Sequence, residues 1–227
     1  VPPDADLGRY ALVLAPGLNV IDRDLAARLE RYVRGGGHLV LGPRSGMKDG
    51  DNALWPVPQP GPLATLLGAS VSQFYALDAP ARVDGPGPGA ATIRIWAEAM
   101  AATAPDVTIL ARYGDTAGGW LAGKAMAVAR AHDRGDIAYV GALLDPEGQD
   151  RLSQTLLSRA GLSVPARLAE GLELSERRRG GDRYLIALNH AATATPFTLP
   201  AGGRVVAGHI DDSRLPPGQA VVIRLSP

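Results

Sequence analysis

The spacing of apolar residues near the start of the chain predicts a strand, a helix and a second strand. Arg9–Ala15 is mostly apolar and ends at Pro16-Gly17, which indicates a strand followed by a turn. Asp22 is a good N-cap for the helix, and Gly35-Gly36-Gly37 ends it. The apolar stripe of the helix is Leu25, Leu29, Tyr32 and Val33. His38–Leu41 predicts the second strand, so the two strands are expected to be parallel and buried.

Five further strands and two helices are predicted downstream. The strands are Val71–Leu77, Thr92–Trp96, Val107–Tyr113, Trp120–Arg130 and Asp136–Leu144. A short helix is expected over Pro62–Leu67, closed by Gly68. A longer helix begins at Asp145-Pro146 and ends at Gly161, because Asp suits the N-cap position and Pro the first helical position.

The pattern changes at about Ala169, where short strands separated by turns replace helical periods. This cadence is typical of a small antiparallel β-domain. We therefore expect two domains, 1–164 and 165–227, with a hinge at Val164–Arg167. A single strand–helix–strand unit is a small nucleus for a parallel sheet. We accordingly expect the chain to be a fragment that lacks the N-terminal strand and helix of its first domain.

A long loop, Gly42–Pro62, follows the second strand. It is rich in Gly and Pro, and loops of this length in a compact domain are usually functional or disordered. It leaves the carboxyl end of a predicted parallel strand, the edge where α/β sheets place functional loops. Its Arg44, Lys48 and Trp55 favour contact with another surface.

Composition narrows the possible functions. The 227 residues include 23 Lys+Arg and 23 Asp+Glu, so no net charge attracts nucleic acid or an anionic membrane, and neither partner is expected. No apolar run reaches the roughly 20 residues of a membrane span. The chain has no cysteine, which excludes disulfides, thiolate metal sites and cysteine nucleophiles and fits a cytoplasmic protein.

Several segments, taken together and in order, resemble the trimerisation domain of family 42 β-galactosidases and the small β-domain that follows it. The segments that carry the resemblance are Asp4–Pro16, Tyr32–Gly46, Lys48–Asn52, Gly61–Leu63, Leu66–Gly68, Tyr139–Asp145 and Tyr184–His190. The resemblance implies a flavodoxin-like α/β domain of three layers, similar to class I glutamine amidotransferases and truncated at its N-terminus, followed by a small antiparallel β-sandwich. It implies a homotrimer in the parent enzyme.

In that family, catalysis belongs to an N-terminal (β/α)8 barrel, which supplies an acid/base Glu after an Asn and a second Glu as nucleophile. Retaining chemistry needs two carboxyl groups about 5 Å apart. No Asn-Glu pair occurs here, and we assign no catalytic role to any of the six glutamates, Glu30, Glu98, Glu147, Glu170, Glu173 and Glu176. The chain alone is therefore predicted to be inactive, with the barrel as a partner in the parent.

Other kinds of site find little support. An amidotransferase-like hydrolase lacks its Cys, and Ser45 has no nucleophile-elbow frame. The four histidines show no metal-ligand spacing, and the Gly-rich runs do not open a helix as a phosphate site requires. We expect no cofactor, no metal and no catalytic residue. A stand-alone carbohydrate-binding or regulatory module on the same fold remains the alternative, with Trp55 as a sugar-stacking candidate.

The long loop is accordingly predicted to be a contact loop at a subunit or barrel interface. Its expected anchors are Arg44, Lys48, Asp49 and Trp55.

Overall fold

The computed structural model describes residues 5–114, 119–163 and 168–225, and the chain divides into two compact units, 1–164 and 165–227. The predicted hinge, 164–167, lies outside the described residues. The described part of the first unit contains three α-helices, α1 (Arg23–Arg34), α2 (Ala64–Leu67) and α3 (Pro146–Arg159). Its nine described strands are β1 (Leu12–Ala15), β2 (His38–Leu41), β3 (Ala69–Ala76), β4 (Ala81–Asp84), β5 (Ala91–Ile93), β6 (Trp96–Ala102), β7 (Thr108–Tyr113), β8 (Ala125–His132) and β9 (Gly135–Val140).

These strands form one mixed sheet. β1, β2 and β9 are parallel neighbours, which confirms the predicted parallel pair β1 and β2. From β9 the sheet continues through β8, β7, β4 and β5 in antiparallel pairs. β6 joins it through a single pair with β8, and β3 pairs with β6. The carboxyl ends of β1, β2 and β9 therefore meet at one edge, and the long loop leaves from there.

Helices cover both faces of the parallel strands. Leu29 and Val33 of α1 pack in one buried cluster with Leu39 of β2 and Ile137 of β9. Leu152 of α3 packs in a second cluster with Ala138 of β9. Because adjacent residues of a strand point to opposite faces, the two helices lie on opposite sides of the sheet. Asp22 caps α1 as predicted, since its side chain accepts the Leu25 N–H at 2.7 Å.

The flavodoxin-like description of the whole first domain is not confirmed. Three parallel strands between two helices match it locally, but the other six strands of the sheet are antiparallel. Hairpins replace the helical crossovers that a parallel sheet needs, as in the tight turn from β8 to β9. The first unit is thus a mostly β mixed sheet with helices at its parallel end.

Four predicted strands have clearly different bounds, and one of them, predicted at Asp136–Leu144, ends at Val140 as β9. Leu7–Arg9 forms a 3-10 turn capped by Asp6, so β1 begins at Leu12 rather than Arg9. The single strand predicted at Thr92–Trp96 was wrong, because the chain forms β5 and β6 instead. Bends and turns occupy 119–123, so β8 begins at Ala125 rather than Trp120.

The second unit is antiparallel, as predicted. A four-stranded sheet has the order β10 (Leu172–Arg179), β11 (Asp182–Asn189), β15 (Ala220–Leu225) and β13 (Arg204–Ala207). A two-stranded ladder joins β12 (Thr195–Pro196) to β14 (Arg214–Leu215). Phe197 and Leu215 pack with Ala187, Val221 and Ile223, so one small core joins sheet and ladder. The second layer of the predicted sandwich is therefore only a two-stranded ladder.

Among the residues that the structure describes, no helix is both long and apolar enough to cross a membrane.

Candidate interface loop

The loop at 42–62 is ordered by backbone hydrogen bonds to the segment that follows β1. The Gly46 N–H donates to the Leu18 carbonyl at 2.9 Å, and the Lys48 N–H donates to the Asn19 carbonyl at 3.0 Å. The Ile21 N–H returns a bond to the Lys48 carbonyl at 3.0 Å. The two connections at the carboxyl edge of the parallel strands are thus bonded to each other, which gives the loop a defined conformation.

A buried carboxylate fixes the start of this loop. Glu98 on β6 is fully buried, and its Oε1 accepts the Arg44 backbone N–H and the Trp96 indole N–H, each at 2.9 Å. Its Oε2 accepts the Tyr139 hydroxyl at 2.7 Å. The Arg44 guanidinium lies 5.7 Å from the centroid of the Trp96 ring, within cation–π range. Glu98 therefore connects the loop to β6 and β9 at their buried ends.

Burial raises the pKa of Glu98 above its ordinary value of 4.5, because desolvation penalises the charged form. Hydrogen bonds from Tyr139, Trp96 and the Arg44 backbone, together with the Arg44 charge, oppose this shift. Burial and the neighbouring Glu98 carboxylate raise the pKa of the Tyr139 hydroxyl, so Tyr139 stays a neutral donor at physiological pH. The site is arranged to hold an acceptor in place, and its full burial leaves no route for a substrate.

The raised pKa of Glu98 predicts a pH-dependent contribution to stability. This contribution is fully present below pH 4.5 and is lost as pH rises through the folded-state pKa, because the unfolded chain ionises first. In Glu98→Gln the contribution is absent. Urea unfolding of both proteins between pH 4 and 8 should show the wild type losing free energy of unfolding relative to the variant as pH rises. If the free energy of unfolding of the wild type instead rose relative to that of Glu98→Gln as pH increased, the assignment would be contradicted.

Lys48 and Asp49 have local structural partners. The Lys48 ammonium donates to the Asn52 side-chain oxygen at 2.9 Å. Asp49 Oδ1 accepts the N–H groups of Asp51 and Ala53, each at 3.0 Å, which is an Asx turn. Both residues therefore shape the tip of the loop, and their predicted contact with another chain stays a prediction.

Trp55 is half-buried at the centre of the loop surface. Its indole N–H donates to the Ile21 carbonyl at 3.0 Å, and the Arg23 guanidinium lies 5.4 Å from the ring centroid. It lines two neighbouring grooves. One, of about 470 Å³, is mostly apolar and lies between the loop and β3; its lining includes Leu54, Val57, Phe74 and Tyr75. The other, of about 370 Å³, is lined by Asp22, Arg23, Asp24, Asp49, Gly50 and Asp51.

The structure therefore brings Asp49 and Trp55 to one groove, whereas Arg44 lies beside Trp96 and Glu98. The sequence analysis assigned no role to Glu98, whereas the structure shows it as the acceptor of three donors. The available signal was a single carboxylate inside the apolar run Trp96–Ala102, where a charge is costly unless it is hydrogen-bonded.

The structure shows the surroundings of Ser45 and of the described His, Asp and Glu side chains. Ser45 is fully buried, and its Oγ accepts the Leu18 N–H at 3.2 Å, so it has a structural role. Within the described ranges, no group of three or more His, Asp or Glu side chains is placed to hold a metal ion.

Comparison with known proteins shows the family to which the chain belongs. Residues 1–163 match the family model described as "Beta-galactosidase trimerisation domain", and the chain belongs to that family. It is 36% identical over 189 residues to the β-galactosidase Bga of Halorubrum lacusprofundi, covering 78% of this chain and 26% of the relative. It is 34% identical to the β-galactosidase BgaH of Haloferax lucentense, covering 88% of this chain and 29% of the relative. The chain thus spans less than a third of the length of either relative.

Solved structures agree with the sequence relatives. The β-galactosidase of Halorubrum lacusprofundi superposes with a TM-score of 0.81 at 33% identity, covering 98% of this chain and 32% of that one. The cold-adapted enzyme of Rahnella sp. R3 has a TM-score of 0.85 at 22% identity, covering 99% and 33%, which establishes the fold. The family resemblance drawn from the sequence is confirmed.

Proposed function

We propose that this chain is the non-catalytic oligomerisation region of a retaining β-galactosidase and that it self-associates as a homotrimer. The observation that carries the proposal is the match of residues 1–163 to a trimerisation domain. The ordered loop supports it, because Leu54 and Val57 are 65% and 48% exposed on a surface held rigidly by backbone hydrogen bonds. Large apolar side chains grouped on an exposed surface mark interaction sites.

The proposal extends to the parent protein. A (β/α)8 barrel would carry the hydrolysis of terminal β-galactosides, and this region would hold three subunits together beside it. We also propose that the parallel end of the first unit has a flavodoxin-like architecture. The helices on opposite faces of β2 and β9 support this. We further propose a cytoplasmic location, which fits the absence of cysteine from the sequence.

Assembly is directly measurable. Sedimentation equilibrium of the chain over a wide concentration range is expected to give three times the mass of the 23.6 kDa chain. The association should depend on concentration because oligomer stability follows mass action. A monomer at every concentration would overturn the proposal for this chain.

Two assays separate the proposed role from the alternatives. A chromogenic β-galactoside should give no turnover, because retaining hydrolysis needs a pair of catalytic carboxylates and none of the six glutamates of this chain is assigned to such a pair. Calorimetry with galactose and lactose should give no binding heat, which distinguishes the oligomerisation role from a carbohydrate-binding module. The position of Arg23 over the Trp55 ring favours the first role, since it occupies the vicinity of the aromatic face that a sugar would stack on.

A further inference from the structure

The apolar groove beside β3 lies on an open edge of the sheet. β3 pairs with β6 on one side, and no described strand pairs with its other side. At its start the Val71 N–H donates to the Gln59 carbonyl of the loop at 2.8 Å, but Ser72, Gln73 and Phe74 beyond it are exposed. We define the groove rim as Leu54, Val57 and Phe74, which are 65%, 48% and 47% exposed. An exposed apolar edge strand is prone to nonspecific pairing with other chains unless another surface covers it.

The groove rim continues into an acidic surface. Trp55 lines both grooves, so the apolar groove and the one lined by Asp22, Asp24, Asp49 and Asp51, with Arg23 among these four, are contiguous. Asp22 caps α1 and Asp24 lies in its first turn, but Asp49 and Asp51 come from the loop. The surface therefore carries more negative charge than capping of the helix requires. We call these four residues the acidic rim.

The other end of the same helix is basic. Arg31 and Arg34 lie in the last turn of α1, and Arg28 lies about one turn earlier, where its guanidinium donates to the Ala5 carbonyl at 2.8 Å. Glu30 is the acidic residue among them. Arg34 pairs with Glu30 at 2.8 Å. Arg31 is exposed and forms no ion pair within the described part of the chain. We call the three arginines the basic end.

We propose that in the trimer the groove rim and acidic rim of one copy receive the basic end of α1 from the next copy. This inference rests on the proposed self-association. A closed ring of three uses a heterologous contact, in which one surface meets a different surface of the neighbour. Each copy of this chain offers two such surfaces with opposite charge, one of them apolar at its centre. Complementary charge fixes orientation, and the apolar rim supplies the buried area.

The apolar part is tested by Val57→Asp. Burying an unpaired carboxylate at an interface is costly, so the variant should weaken trimer formation at least about tenfold in the concentration midpoint. Val206→Asp is the matched control, because Val206 is 49% exposed in the second unit, outside the groove. It should assemble like the wild type, and circular dichroism should show both variants folded. A trimer equally strong in Val57→Asp would overturn the proposed surface.

The charged part is tested by exchange. Asp51→Arg and Arg31→Glu each place like charges across the proposed contact, and each should weaken assembly roughly three- to tenfold at low salt. The double variant restores opposite charges and should recover the wild-type midpoint to within about threefold. Additive losses in the double variant would exclude the Asp51–Arg31 pairing. A wild-type chain that stays monomeric would instead refute the self-association itself, so the two failures are distinguishable.

Discussion

Glu98→Ala is expected to lower the free energy of unfolding of the first unit by about 3–5 kcal/mol, a large share of the stability of an ordinary domain. Alanine removes the acceptor of three buried donors, the Arg44 N–H, the Trp96 indole and the Tyr139 hydroxyl. Each donor left without a partner costs about 1–3 kcal/mol, reduced where water enters the cavity. Because the Arg44 N–H belongs to the loop, the start of the loop should also loosen.

Urea unfolding followed by tryptophan fluorescence measures this loss selectively, because Trp55, Trp96 and Trp120 all lie in the first unit. Glu98→Gln is the matched control. It keeps an oxygen for Arg44 and Trp96, so it should lose only about 1–2 kcal/mol. Glu30→Ala, at an exposed i,i+4 pair, should change stability by at most about 0.5 kcal/mol. If Glu98→Ala were as mild as Glu30→Ala, the carboxylate would not anchor the loop.

The contrast between α1 and Glu98 shows which features sequence reasoning reaches. α1 was predicted at its start and end because Asp22, the apolar stripe and the three glycines all act within a few residues of one another. The partners of Glu98 are 54 and 41 residues away along the chain, except for Trp96. No local pattern encodes such contacts, so a buried carboxylate in an alanine-rich strand passed as unimportant.

The sheet was misjudged for a related reason. The pattern of β1, α1 and β2 predicted parallel strands, and an extension of that architecture to the whole domain gave the flavodoxin-like description. Ile95 lies between β5 and β6 and is 75% exposed. Because isoleucine is common in strands, the apolar pattern predicted one continuous strand instead of two. On the antiparallel side of β9, the direction of the strands depends on hairpins and on the pairing of β6 with β3. The local apolar pattern does not specify these pairings.

The loop was identified from composition, but its internal structure was not. Length, glycine, proline and a tryptophan marked it as a contact loop, and its contact with another chain stays a prediction. The hydrogen bond from the Trp55 indole to the Ile21 carbonyl could not be predicted, because it depends on how the segment after β1 lies against the loop. Polar side chains in a loop can shape the loop or reach a partner, and sequence alone does not distinguish the two.

Gly46→Ala is expected to lower the free energy of unfolding of the first unit by about 3 kcal/mol or more, because it combines two penalties. Gly46 has φ of 63°, where an L side chain costs about 1–2 kcal/mol. A Cβ at Gly46 would also lie 2.3 Å from the Pro60 carbonyl oxygen, where the beginning and end of the loop approach each other. A Cβ added at Gly61 would likewise lie 2.7 Å from the Gly46 carbonyl oxygen, so the backbone there has little room to move.

Gly161→Ala separates the two penalties of Gly46→Ala. Gly161 has φ of 65°, but a Cβ there would meet no atom within 4 Å, so this variant carries the backbone strain without the collision. It should lose only about 1–2 kcal/mol in the same fluorescence-monitored unfolding. The excess loss in Gly46→Ala measures the close approach at the base of the loop. Because the groove rim residues Leu54 and Val57 lie between Gly46 and Gly61, the variant should also weaken trimer assembly, whereas Gly161→Ala should not. Equal losses in the two variants would mean that the base of the loop is not tightly closed.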